Sequence, residues 1–212
     1  MLLNAAIVAV SHLHVKWESE RYERSRWMIV GAMIGLAIQY MMQMVFGFRA
    51  ADDGLGAVIN ILVYTPCFSL ISMGIYNLEA PRISCRKMNR VCGGIYVVIL
   101  LVFCVSIYLH QSLFIREGLY LMLALFGGSV VYCISMIIRE MLRRRKMLET
   151  MTATDMLPYV RFSHASVLIL LLAFLIMPVA ILSTSLLFIV GPLALLAVLF
   201  FNCLVLEKVD RV

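Results

Sequence analysis

Long apolar stretches alternate with short charged connections along this chain of 212 residues. A helix rises about 1.5 Å per residue, so about 20 apolar residues cross a hydrocarbon core of about 30 Å. Each of the five longest charge-free stretches reaches that length: 27–48, 54–78, 91–115, 118–138 and 162–206. The last of them has 45 residues, which would make one helix of about 67 Å, twice the bilayer. It must therefore turn back, and Ser183-Thr184-Ser185 is its one polar cluster.

The pattern predicts an all-α, polytopic integral membrane bundle that forms a single domain over residues 1–212. We expect six transmembrane helices at 27–48, 56–78, 91–112, 118–138, 163–182 and 186–206. Residues 1–15 are apolar but reach only about 22 Å. They form a short first span, an interfacial segment, or the end of a span that starts upstream of Met1. With them the predicted total is seven helices.

Composition agrees with a bilayer location. Hydrophobic residues make up 63% and charged residues 14% of the chain, against about 45–50% and about 25% in soluble domains. One soluble core cannot bury that much apolar surface, so lipid must cover the excess. The chain has a net charge of +6, and its basic residues lie between the apolar stretches. No nucleic-acid-binding fold accompanies them, so we expect no direct nucleic-acid binding.

The basic residues predict the topology. Of the 18 Lys and Arg residues, 16 lie in alternate connections, at 16–26, 79–90, 139–161 and 207–212. Such an excess marks the cytoplasmic side, which predicts a multi-pass protein of the bacterial inner membrane with a cytoplasmic C-terminus. We expect 79–90 to be a basic loop broken by Pro81, and the span 118–138 to continue as a helix along the membrane surface. We interpret one basic run as topology anchors that meet anionic lipid head groups. It consists of Arg143, Arg144, Arg145 and Lys146.

Polar side chains concentrate in the hairpin 27–78. Gln39 and Gln43 are four residues apart on its first helix, and Asn60 and Tyr64 are four apart on its second. Gln43 lies eight residues before Ala51 and Asn60 nine after it, so a tight hairpin brings them level. Two interpretations remain open: hydrogen bonds that join the helices, or a polar pocket for a small ligand that opens outward.

Charged residues at the outer turn of the hairpin are further candidates for a ligand site. Arg49 and Asp53 either form an ordinary solvated turn, with a weak ion pair, or line the outer lip of the same pocket.

Small residues let helices approach closely. The helix-packing candidates are Gly31, Gly35, Gly127 and Gly128.

Catalytic and metal motifs are missing from the sequence. The long spans hold no charged residue, and the chain has no Ser/His/Asp set, HExxH or P-loop. The six cysteines include no CxxC pair, and we interpret them as reduced thiols that serve as small apolar residues. We therefore expect no enzyme activity, no metal and no cofactor.

Three segments of the hairpin carry a resemblance to a known class of protein. They are YERSRWMIVGAM at its start, QMVFGFRAADD at the turn, and Val58-Ile59-Asn60-Ile61-Leu62 on the return. Over Tyr22–Glu79 the chain resembles the membrane-embedded N-terminal regions of bacterial sensor proteins, in which six to seven helices precede a histidine-kinase or AraC-type helix-turn-helix module. The resemblance implies a sensory or signal-transducing region. The chain departs from that class at Val212, where an output module would begin, so either an output domain is missing from this sequence or the protein works alone or through a partner.

The expected partners are the lipid bilayer, a cytoplasmic kinase or transcription-factor module, and, as an open alternative, a second copy of the chain. Two other functions stay open as well: a small-solute transporter or channel subunit, and a structural partner of another membrane protein. Ion-coupled transporters normally keep charged residues within the bundle. The absence of charged residues from the long spans therefore counts against the transporter or channel function.

Overall fold

The computed structural model describes residues 2, 5, 6, 9, 19–47, 53–110 and 116–150. Its helices in chain order are α1 (Ser19–Phe46), α2 (Asp53–Glu79), α3 (Arg82–His110) and α4 (Arg116–Thr150). All four are long and apolar enough to cross a membrane. The prediction of an all-helical fold, with helices long and apolar enough to span a membrane, is therefore confirmed for the described residues.

The predicted count of seven helices goes further than the described residues. Four predicted spans, 27–48, 56–78, 91–112 and 118–138, coincide with α1 to α4 as far as the structure describes them. The predicted spans 163–182 and 186–206 lie outside the described residues. Of residues 1–15, the structure describes four as helical: Leu2, Ala5, Ala6 and Ala9.

The chain divides into two compact units, Met1–Glu140 and Met141–Val212. In the first, α2 is the central helix: 61% of its most apolar window is buried, against 11% for α3. The outer surface of α3 is apolar and exposed, for example at Val97, Leu101 and Val105. Exposed apolar faces of this kind suit lipid contact. Of the second unit, the structure describes the last ten residues of α4.

Local chemistry sets where the first two helices end. Gly47 follows α1 with a φ of 57°, a conformation that glycine adopts without steric cost. Its N–H donates to the Gln43 carbonyl at 3.0 Å, which closes the last turn. At the end of α2, the Ala80 N–H donates to the Tyr76 carbonyl at 2.8 Å.

The prediction of a loop over 79–90 is wrong. Only Ala80 and Pro81 separate α2 from α3, and residues 82–90 are helical. The Cys85 N–H donates to the Pro81 carbonyl at 3.2 Å, so the proline opens α3. Proline suits a helix start because its missing N–H would have no helical partner there. The prediction that the span 118–138 continues as a helix is confirmed, since α4 runs on to Thr150, while its course along the membrane surface stays a prediction.

Candidate functional site

Contacts between α1 and α2 follow one antiparallel register. Gln43 pairs with Asn60 and Asn77 with Ser25, while Gly35 lies against Cys67 and Gly74 against Ile29. The members of each pair lie equally far from residue 51, to within one position. The hairpin therefore holds this register along its whole described length, and it brings the polar residues of both helices together.

A cluster of three primary amides joins the two helices. Asn60 Oδ1 accepts a hydrogen bond from Gln39 Nε2 at 2.9 Å and another from Gln43 Nε2 at 2.6 Å. Gln39 is 1% exposed and Asn60 0%. The expected meeting of Gln43 with Asn60 is thus confirmed, and Gln39 shares the same acceptor. We call Gln39, Gln43 and Asn60 the amide cluster.

The amide cluster does not use all of its hydrogen-bonding capacity. Gln39 Oε1 and Asn60 Nδ2 are buried and have no hydrogen-bond partner among the described residues. A buried polar atom without a partner costs about 1–3 kcal/mol. The cluster therefore holds an acceptor and a donor that a rearrangement or a small polar molecule would satisfy.

Tyr64 and Thr65 play different parts from the amides. Tyr64 is 2% exposed, and its ring meets Phe68 edge-on with centroids 5.9 Å apart. Phe68 in turn packs on Phe126 of α4 at 6.0 Å. Thr65 donates to the Ile61 carbonyl of its own helix at 2.6 Å. Tyr64 thus belongs to an aromatic row that runs from the amide cluster toward α4.

The charges proposed for an outer lip lie at the margin of what the structure describes. Arg49 falls outside the described residues. Asp53 is the first residue of α2, and its side chain is outside the description. The prediction that they border a ligand pocket therefore stays a prediction.

The glycine predictions divide. At Gly35 an added Cβ would lie 2.9 Å from Cys67 Sγ, so close helix packing is confirmed there. No described atom comes within 4 Å of such a Cβ at Gly31, Gly127 or Gly128. Helix packing at those three positions stays a prediction, since no contact with a described residue tests it.

Gly74 is the close approach that sequence reasoning missed. A Cβ there would lie 2.8 Å from Ile29 Cγ1 and 3.1 Å from the Ser25 carbonyl oxygen. Asn60, Cys67 and Gly74 are spaced by seven residues, which places them on one helix face. This seven-residue spacing is the feature of the sequence that indicates the close approach at Gly74.

The predicted topology anchors lie on the last turns of α4. Arg143 and Lys146 are exposed, as expected for side chains that meet head groups. The side chains of Arg144 and Arg145 are outside the description.

A second polar cluster joins three helices. The sulfur atoms of Cys92 on α3 and Cys133 on α4 lie 3.5 Å apart. The side chain of Ser69 on α2 lies close to Cys92, and those of Ser72 and Ser129 lie close to Cys133. All five are buried. The interpretation of the cysteines as small apolar residues missed this pairing, because the spacing of Cys92 and Cys133 in the sequence does not indicate that they meet.

A cavity of about 320 Å³ lies where α1, α2 and α3 meet, at the end of the bundle formed by residues 20–26, 77–79 and 82–90. We call this the basic end. The residues that line the cavity include Arg24, Arg82 and Arg86. Arg24 lies 15 residues from Gln39, or about 22 Å along α1, so this cavity is separate from the amide cluster.

The described residues contain no group of three or more His, Cys, Asp or Glu side chains that could hold a metal ion. Comparison of the chain with protein-family models, with curated proteins and with solved structures found no match. We therefore infer the function from the chemistry of the hairpin.

Proposed function

We propose that this protein is a membrane-embedded sensory or signal-transducing region, with the amide cluster as the element that changes state. In the proposed arrangement the chain crosses the bacterial inner membrane six times, and residues 1–15 add a short span. The basic end and the C-terminus face the cytoplasm. A kinase or transcription-factor module, or a partner that carries one, receives the signal there.

The observation that carries the proposal is the unused hydrogen-bonding capacity of the amide cluster. Asn60 Oδ1 serves two donors while Asn60 Nδ2 and Gln39 Oε1 are left over. Concerted half-turns of the Asn60, Gln39 and Gln43 amides would exchange donors for acceptors, so that Asn60 Nδ2 donates to the two glutamine oxygens. Two arrangements with a similar number of hydrogen bonds differ by little free energy, which is what a two-state element requires.

Position within the membrane also favours a sensory role. Asn60 lies seven residues after the start of α2 at Asp53, about 10 Å into the helix. Farther along α2, Pro66 has no N–H to donate to the Leu62 carbonyl, and this weakens the helix at that point. A change at the amide cluster can therefore bend α2 at Pro66 and move its far end, which lies at the basic end.

The test joins the full chain to a histidine-kinase reporter after Val212 and compares the native protein with Gln43→Ala and Asn60→Ala. The proposal predicts that both substitutions alter reporter output at equal membrane insertion. Ser135→Ala is the matched control, because Ser135 is exposed and donates to the Tyr132 carbonyl of its own helix. Unchanged output in both cluster variants would contradict the proposal.

A small-solute transporter or channel subunit is the second candidate, and one observation favours it. A buried donor and a buried acceptor in one cluster, Asn60 Nδ2 and Gln39 Oε1, would also suit a polar solute. Uptake of labelled solutes into proteoliposomes separates the candidates. Flux that Asn60→Ala abolishes supports transport, and an absence of flux together with altered reporter output supports sensing.

A further inference from the structure

The cavity at the basic end carries an inference that does not depend on the proposed signalling role. Three helices contribute to its wall: Arg24 comes from α1, Asn77 from α2, and Arg82 and Arg86 from α3. Arg82 and Arg86 are four residues apart and so lie on one face of α3. The cavity is therefore assembled by the fold of residues 20–89 and is not a property of one helix.

The lining carries a positive charge. It holds three arginines against one carboxylate, that of Glu20, and all four side chains are exposed enough to meet a ligand. The guanidinium group donates paired N–H bonds whose geometry matches a phosphate, and it stays charged at any physiological pH. Asn77 and Asn89 add amide groups to the same wall. This chemistry selects a phosphate group.

Apolar side chains line the same cavity. Met28 of α1 and Met73 of α2 contribute to its wall, within the candidate membrane spans Glu23–Phe46 and Gly54–Asn77. A ligand that fills this cavity would contact both charged and thioether side chains. A free phosphate ion gains nothing from contact with the methionines, whereas a phosphate ester that carries acyl chains suits both.

We propose that this cavity binds the phosphate of an anionic phospholipid. Basic pockets between transmembrane helices at the cytoplasmic face are a recognised way of holding such head groups. The lipid would bridge α1 to α3, two helices that α2 otherwise separates, and would fix the basic end of the bundle.

The test measures binding to the full chain purified in a neutral detergent, with three probes: dioctanoyl phosphatidylglycerol, dioctanoyl phosphatidylcholine and inorganic phosphate. The proposal predicts saturable binding of phosphatidylglycerol with much weaker binding of the other two. Arg82→Gln with Arg86→Gln should weaken phosphatidylglycerol about tenfold or more, since each removes charge-assisted hydrogen bonds. The single variant Arg24→Gln, on a different helix, should weaken it in the same direction.

The matched control is Lys87→Gln with Arg90→Gln. Both side chains are exposed on α3 and neither lines the cavity, yet the change in net charge is the same. Thermal unfolding without lipid shows whether each variant stays folded. Equal losses in the two double variants would overturn the proposal in favour of general attraction to basic charge. Equal binding of phosphate and phosphatidylglycerol would overturn the lipid assignment, and no binding by any probe would overturn the site.

Discussion

Gln43 on α1 donates a 2.6 Å hydrogen bond to Asn60 on α2. The bond joins two helices at positions that lie equally far from residue 51, to within one position. Hydrogen bonds between transmembrane helices contribute about 0.6 kcal/mol on average, with a maximum near about 1.7. The amide cluster is therefore a modest contributor to stability, and its unpaired atoms are what set it apart from ordinary interhelical bonds.

Asn60→Ala removes the acceptor of both glutamines. We expect the free energy of unfolding to fall by about 1 kcal/mol, since two interhelical bonds are lost. Thermal unfolding in detergent, followed by the exposure of buried thiols, measures the change. Ser135→Ala should leave the unfolding curve in place, and a fall of equal size in that control would contradict the assignment.

Gly74→Ala places a methyl group against Ile29 and the Ser25 carbonyl oxygen, 2.8 and 3.1 Å from the nearest atoms. Backbone cannot move aside as a side chain does, so we expect a loss of about 1–3 kcal/mol from overpacking. The same thiol-exposure measurement applies.

Gly31→Ala is the matched control for Gly74, because no described atom lies within 4 Å of the added methyl. Alanine is the better helix former by about 1 kcal/mol. The variant should be as stable as the native protein or more so. Destabilisation at Gly31 to the same extent as at Gly74 would contradict the packing between α1 and α2.

Mild oxidation should join Cys92 to Cys133, whose sulfur atoms lie 3.5 Å apart. Copper phenanthroline, a two-electron oxidant system with oxygen, would take up the electrons while the two thiols release their protons. With a protease site inserted between α3 and α4, the cleaved halves should stay together on a non-reducing gel. Cys92→Ser should let the halves separate; separation without that substitution would contradict the packing of α3 on α4.

The two ends of the bundle should face opposite sides of the membrane. Lys87 and Glu117 are exposed near opposite ends of the first unit. In intact cells a membrane-impermeant maleimide should label Glu117→Cys and spare Lys87→Cys, and inverted vesicles should show the reverse. Labelling of Lys87→Cys from outside the cell would contradict the proposed topology.

The sequence predicted the positions of the helices and the contacts within the hairpin better than it predicted the cysteine pair and the cavity at the basic end. Gln43 and Asn60 could be matched because a short turn forces equal distances along two neighbouring helices. No such constraint brings Cys92 to Cys133, or places Arg24 and Arg86 in one cavity wall, since both arrangements depend on how each helix is rotated about its axis. The helix at 82–90 was missed because Pro81 ends one helix and also opens the next.

The central claim is that the amide cluster sets the arrangement of α1 against α2. The most direct measurement is the distance between spin labels carried by noncanonical amino acids at Met41, which is exposed on α1, and Ile59, which is half-buried beside Asn60. The full chain is measured in lipid nanodiscs, with and without Asn60→Ala. The account predicts that the substitution shifts or splits the distance distribution at unchanged folding. An identical distribution in the two proteins would contradict it, and the amide cluster would then be interhelical packing alone.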